Sequence, residues 1–159
     1  MLLNADKSSY MIFTRCTGDR YKTRHHLSSS SLQQVQHTKL LGVWITDDLK
    51  WEMNTSEICK KAYARMCLLS RLKYVRMDND GLVRIYITYI ICLLEYCSVV
   101  WHSSLTLELS ILLERVQKVA MRIIHGEEYL SYEHALESCK LETLEKRRQD
   151  KCFYLERNV

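Results

Sequence analysis

The chain contains no proline and only four glycines in 159 residues. Without proline, the strongest interruption of a helix is missing, so long helices can run unbroken. Seven cysteines are present, but no Cys-x-x-Cys pair, which excludes the common zinc modules. No glycine-rich phosphate loop occurs. No uncharged apolar run is long enough to cross a bilayer. The most apolar window, Ile85 to Trp101, is broken by Glu95 and edged by Arg84, so it reads as a buried helix and no membrane contact is expected. Met1-Leu2-Leu3-Asn4 does not read as a signal peptide, because charge arrives at Asp6 and Lys7. Cys59, Cys67, Cys92 and Cys97 fall inside helical apolar pattern. They are expected to be reduced thiols of an intracellular protein, nuclear or cytoplasmic and not secreted.

What is present is an ordinary globular balance, with 47% hydrophobic and 26% charged residues. That is enough for one domain with a core. The net charge of +4 and pI near 8.6 permit contact with nucleic acid without demanding it. Composition changes at Lys39-Leu40-Leu41-Gly42-Val43-Trp44-Ile45-Thr46-Asp47-Asp48-Leu49-Lys50-Trp51. Short apolar runs and polar turns precede this stretch, and some 100 residues of helical pattern come after it.

Ser9–Thr14, Leu32–Val35 and Leu40–Ile45 are expected strands, with a turn at Thr17-Gly18-Asp19. A first helix is expected from Asn54 or Thr55, with Ile58, Ala62, Met66, Leu69 and Leu72 on one face. Leu82–Val99 is the expected second and most buried helix, with Leu82, Ile85, Tyr86, Tyr89, Ile90, Leu93 and Cys97 along one side. A third, capped by Ser103 or Ser104, should run from Leu105 to His125 and close at Gly126. Its predicted core face is Leu112, Val116, Val119, Ala120 and Ile123. A fourth starts at Ser131, and a fifth, capped by Thr143, runs from Leu144 to about Arg157. The fold class is therefore α+β: a small antiparallel sheet over residues 1–50, then a bundle of about five helices over 51–159.

No complete catalytic site emerges. Asp47-Asp48 invites a two-metal reading, but the pair adjoins in one run and suits a turn whose Asp side chains cap the backbone. His25-His26 lacks Cys or carboxylate partners for a metal. Cys92, Cys97 and His102 step by five and fan around a helix. The basic positions Lys60, Lys61 and Arg71, the stripe Arg115, Lys118 and Arg122, and the run Lys146 to Arg148 are candidates for phosphate contact. Solvated helix faces have the same composition.

A family pattern overlies these elements. Asn4-x-x-Lys7-Ser8-x-x-Met11-x-Phe13 is followed by Val35-x-x-x-Lys39-Leu40-Leu41-Gly42-Val43 and Asp48-Leu49-x-Trp51. Then come Ile85-Tyr86, Leu94-Glu95-Tyr96-x-x-x-Val100-Trp101, Leu113-Glu114-x-Val116-Gln117-x-x-Ala120-x-Arg122-Ile123-Ile124 and Ser131-Tyr132-x-x-Ala135-Leu136. In this order the series resembles the end of the palm and the thumb of non-LTR retrotransposon reverse transcriptases of the jockey-like kind. The chain departs from that pattern with Leu40 for Tyr, Ser8 for Thr and Cys92 for Pro. The family's Ala-Asp-Asp hairpin is absent, and by resemblance it would precede Met1.

The resemblance implies a truncated RNA-directed DNA polymerase with a palm remnant and a thumb-like bundle. It would have no catalytic residue or metal ligand of its own and at most bind RNA template and DNA primer. The two magnesium ions would belong to the parent enzyme. Leu41, Gly42 and Val43 would form the primer-grip turn, and Lys7 would lie on the palm strand near the incoming nucleotide. Two alternatives are a helical protein-interaction domain, using the second helix and Trp101, and a non-functional retroelement relic. Oligomeric state is left open.

Overall fold

The structure, a computed structural model, describes residues 8–13, 25–27 and 30–157. Chain packing separates two units, Met1–Asn54 and Thr55–Val159. The architecture is α+β, with short strands in the first unit and helices in the second.

The strands of the first unit are β1 (Ser9–Tyr10), β2 (His26–Leu27), β3 (Ser30–Ser31), β4 (Gln33–Gln34), β5 (His37–Leu40) and β6 (Val43–Thr46). Small antiparallel pairing forms as expected, but divided among short ladders. Among the described residues there are three separate two-stranded ladders. β1 pairs with β4 in parallel, Ser9 opposite Gln33, and Val35 N–H extends that ladder to Tyr10 C=O at 2.9 Å. β2 with β3 and β5 with β6 are antiparallel. The expected strand Leu40–Ile45 is cut in two by a turn at Leu41 and Gly42, whose φ angles are 47° and 92°. Two consecutive left-handed residues reverse the chain between Leu40 and Val43, which pair across the hairpin. The expected turn at Thr17-Gly18-Asp19 lies outside the described residues, as do Lys7 and the end of the strand expected to reach Thr14.

The helical unit is built from α1 (Glu52–Tyr74), α2 (Asn79–Ile85), a π-helical segment Tyr86–Ile91, α3 (Cys92–Leu94), α4 (Ser98–Trp101), α5 (Leu107–His125), α6 (Tyr132–Ser138) and α7 (Leu144–Arg157). α2, the π segment and α3 succeed one another without a gap. α1 buries Thr55, Ile58, Ala62, Met66 and Leu69 at spacings of three and four, one stripe of a helix. It begins at Glu52 rather than at a cap on Asn54 or Thr55. Asn54 is spent otherwise: its Oδ1 accepts the Trp44 N–H of β6 at 3.2 Å.

Start signals elsewhere are side-chain caps, each worth about 1 kcal/mol. Thr106 accepts from Leu109 N–H, Ser131 from His134 N–H, and Thr143 from Lys146 N–H. Thr106 thus replaces Ser103 and Ser104 as the cap of α5, because those serines sit in a preceding 3-10 turn. At its other end α5 stops at Gly126, φ 58°, and Lys73 Nζ donates to the Ile124 carbonyl at 2.6 Å. A cation on the last carbonyls complements the helix dipole.

The core of this unit centres on Leu69, Leu82, Tyr86, Ile90, Leu94, Trp101, Leu113, Val116, Ala120, Met121, Ile124 and Leu144, all fully buried. Two expected faces are displaced. On α5 the buried residues are Leu109, Leu113, Val116, Gln117, Ala120, Met121, Ile124 and His125, while Leu112 is exposed. Along α2 and the π segment, Tyr89 is exposed instead of buried, since the wider π turn shifts the angular position of each later side chain. The helix expected to reach Val99 stops at Leu94, and Cys97 takes a left-handed φ of 50° before α4 restarts. Among the described residues no single helix is long and apolar enough to cross a membrane. The pair Asn79–Leu94 and Ser98–Ser104 passes only as a span bent by 41°, and its Leu82, Tyr86, Ile90 and Trp101 are core residues.

Candidate nucleic-acid interface

Basic side chains on three helices meet three different fates. On α5, Arg115, Lys118 and Arg122 recur at i, i+3 and i+7 and lie at the surface, beside the buried stripe. Lys118 Nζ sits 5.0 Å from the Tyr132 ring centroid and the Arg122 guanidinium 5.6 Å from that of Tyr129. Such contacts contribute about 0.5–1 kcal/mol each at exposed sites. They hold the cations over aromatic faces while leaving N–H donors to solvent. None of the three has a carboxylate within ion-pairing distance among the described residues. Charge of one sign lies along roughly 10 Å of helix.

On α1, Lys60, Lys61 and Arg71 lie at the solvent-facing side, as expected. Lys60 is bound to Glu57 at 2.8 Å, one turn away, a screened pair worth a few tenths of a kcal/mol.

On α7 the run Lys146 to Arg148 is consumed by the fold. Arg147 donates to both oxygens of Glu95, and Lys151 Nζ lies 2.6 Å from Glu95 Oε2. Glu95 is buried, its side chain 3% exposed. Burial alone would raise its carboxyl, but the bonds from Arg147 and Lys151 prevail and hold it below its ordinary value. Arg148 is wholly buried, with Nη2 on Ser110 Oγ at 3.1 Å and its guanidinium 5.9 Å from the Trp101 ring centroid. Burial lowers its pKa, against the nearby charges of Glu114, Glu145 and Glu95. Lys146 is ion-paired with Glu142. Of this run only Arg147 joins Lys151 in clamping Glu95, at the break between α3 and α4.

The residues that complete these arrangements, Glu95, Tyr129 and Tyr132, have no site role among the sequence expectations. Glu95 was visible as a charge in an apolar window, and a buried charge must find partners. Tyr129 and Tyr132 flank the Ser131 cap but carry no spacing signal that ties them to α5. Tyr132 also donates its hydroxyl to Glu114, which together with burial raises its pKa.

The hairpin tip Leu41-Gly42-Val43 is a tight reversal with Leu41 83% exposed and Val43 buried. Beyond it, Thr46 Oγ1 lies 2.7 Å from Asp48 Oδ1, which also accepts the Lys50 N–H at 3.1 Å. The Thr46 bond is the main cause of a lowered Asp48 pKa. Two-magnesium chemistry needs convergent carboxylates. Asp47 and Asp48 adjoin on one turn and Asp48 is spent within it. Among the described residues no group of three or more His, Cys, Asp or Glu side chains gathers as a metal site.

Trp101, expected at a partner surface, is fully buried and donates its indole N–H to the Tyr96 carbonyl at 3.1 Å. No family model, curated protein or solved structure matches the chain.

Proposed function

We propose that the chain is the palm-end and thumb-like part of a retroelement reverse transcriptase, and that its own contribution is to hold a template–primer duplex by its phosphates. The observation that carries the reading is the α5 row of Arg115, Lys118 and Arg122. It lies at the surface, with no carboxylate in ion-pairing distance among the described residues, and falls inside the motif series that resembles the thumb. The tight reversal at Leu41-Gly42-Val43 supports a primer-grip-like role for that turn. Lys60, Lys61 and Arg71 add phosphate contacts in the same reading, and Lys7 would lie near the incoming nucleotide. In this reading the catalytic carboxylates belong to the parent polymerase, and the chain alone is expected to extend no primer.

The test is binding of a primed RNA template across a salt series, with a primer-extension assay alongside. Affinity should fall steeply between about 50 and about 200 mM salt, because each neutralised phosphate releases condensed counterion. No binding at low salt would favour the rival reading of a protein-interaction domain. Robust synthesis with magnesium and deoxynucleotides would contradict the reading of an inactive part.

A further inference from the structure

α5 ends in His125 and α6 is followed directly by Cys139, and the two helix ends meet. Each helix is stopped by a left-handed residue, Gly126 at φ 58° and Lys140 at φ 54°. His125 Nε2 lies 3.3 Å from Cys139 Sγ and 3.2 Å from Ser138 Oγ. The imidazole is 8% exposed, and the thiol is partly open. Both line a cleft of about 470 Å³ that also carries two acids, Asp80 and Glu128, and two bases, Arg84 and Lys140. A second cleft of about 470 Å³ adjoins it, sharing Asn79, His125 and Glu128. Space of this size takes a small organic molecule. Walls of both signs match a ligand that bears ammonium and carboxylate together.

We propose that His125 and Cys139 form a thiol–imidazole site that admits a small zwitterionic disulfide to this cleft and captures it as a mixed disulfide. Burial and the Asp80 charge raise the thiol pKa despite the Ser138 contact. The resting form is therefore S–H, and thiolate arises by transfer to a base already in contact. Nε2 of His125 takes the thiol proton as Cys139 Sγ attacks one sulfur of the disulfide. The new S–S bond forms, the old one breaks, and its electron pair leaves on the departing thiolate. That thiolate takes the proton back from His125. The incoming disulfide is the oxidant, being reduced to one thiol as Cys139 is oxidised to the mixed disulfide.

The test uses the reduced full chain with oxidised glutathione or cystine as probes. Mixed disulfide at each cysteine is followed by peptide mass spectrometry. Cys139 should be captured faster than the exposed Cys67 and Cys92. His125→Gln should slow capture at Cys139 by on the order of a hundredfold, the usual worth of a positioned base, and leave Cys67 unchanged. The neutral disulfide of 2-mercaptoethanol should lose the preference for Cys139. Slower capture at Cys139 than at Cys67 in the wild-type chain overturns the proposal, even if the variant does not fold. So does an unchanged Cys139 rate in a folded His125→Gln chain, or equal preference for the neutral probe.

Discussion

Between residues 30 and 54 the longest strands have four residues, and each strand pairs with a single neighbour. Beyond Thr55, helical segments enclose a set of fully buried Leu, Ile, Met, Tyr and Trp side chains. A helix satisfies its own backbone and needs neighbours only for its apolar stripe. A two-stranded ladder needs a partner for every N–H and is marginal by itself. The helical unit should therefore carry most of the stability, and the strand unit should yield first.

The largest effect is expected in the helical core. Leu113 is fully buried on α5, and Leu113→Ala should cost about 3 kcal/mol in denaturant unfolding. Val43→Ala in the strand unit should cost about 1 kcal/mol or less in the same measurement. Equal costs would erase the contrast between the two units.

Next comes Glu95→Gln, which leaves Arg147 and Lys151 facing a neutral amide in place of their shared carboxylate. Removing one partner of a buried ion pair costs about 3–5 kcal/mol, and the half-exposed Lys151 and part-exposed Arg147 reduce this to about 2 kcal/mol. The same residue sets a pH dependence. Its folded pKa is depressed, so its contribution is present above the ordinary value near 4.5 and is lost as pH falls through the folded value. Wild-type stability should drop below about pH 4.5, and the drop should shrink in Glu95→Gln. An identical acid profile for both chains would remove Glu95 from the clamp.

A smaller effect concerns the hairpin. Leu41 holds φ 47°, where a side chain with a Cβ is strained by about 1 kcal/mol. Leu41→Gly should protect β5 and β6 amides in hydrogen exchange, while Gly42→Ala at φ 92° should weaken that protection. Neither should shift exchange in α5. The smallest effect is on stability at the α5 row. Arg115→Ala, Lys118→Ala and Arg122→Ala should each change unfolding by less than about 1 kcal/mol.

Helix existence was readable because apolar residues recur at a clean helical period, as at Ile58, Ala62, Met66 and Leu69. The α5 face was displaced by one residue for a physical reason. Leu112-Leu113 and Ile123-Ile124 are apolar doublets, so two stripes about 100° apart fit the pattern equally. Gln117 hid the true one: it is polar yet buried, and its Nε2 donates to the Glu142 carbonyl at 2.9 Å. The π segment was unreadable because its composition, Tyr86–Ile91, is that of an ordinary apolar helix and carries no signal for a wider turn.

The strand pairing was also beyond reach. Two-residue strands such as Gln33–Gln34 carry no alternation, and parallel pairing with Ser9–Tyr10 depends on contacts 24 residues apart. Of the candidate site, the surface placement of Lys60, Lys61, Arg71, Arg115, Lys118 and Arg122 came from helical position. The diversion of Arg147 and Lys151 to Glu95, more than 50 residues away in sequence, did not. Charge runs look alike whether their partners are phosphates or a distant carboxylate.

The most direct measurement is the salt dependence of primed-template binding by the wild-type chain and by the triple variant Arg115→Ala, Lys118→Ala, Arg122→Ala. Removing three phosphate contacts should flatten the slope of log affinity against log salt by about 2 to 3, while the variant keeps the wild-type melt. A slope unchanged in a folded triple variant would contradict the α5 row as the nucleic-acid contact.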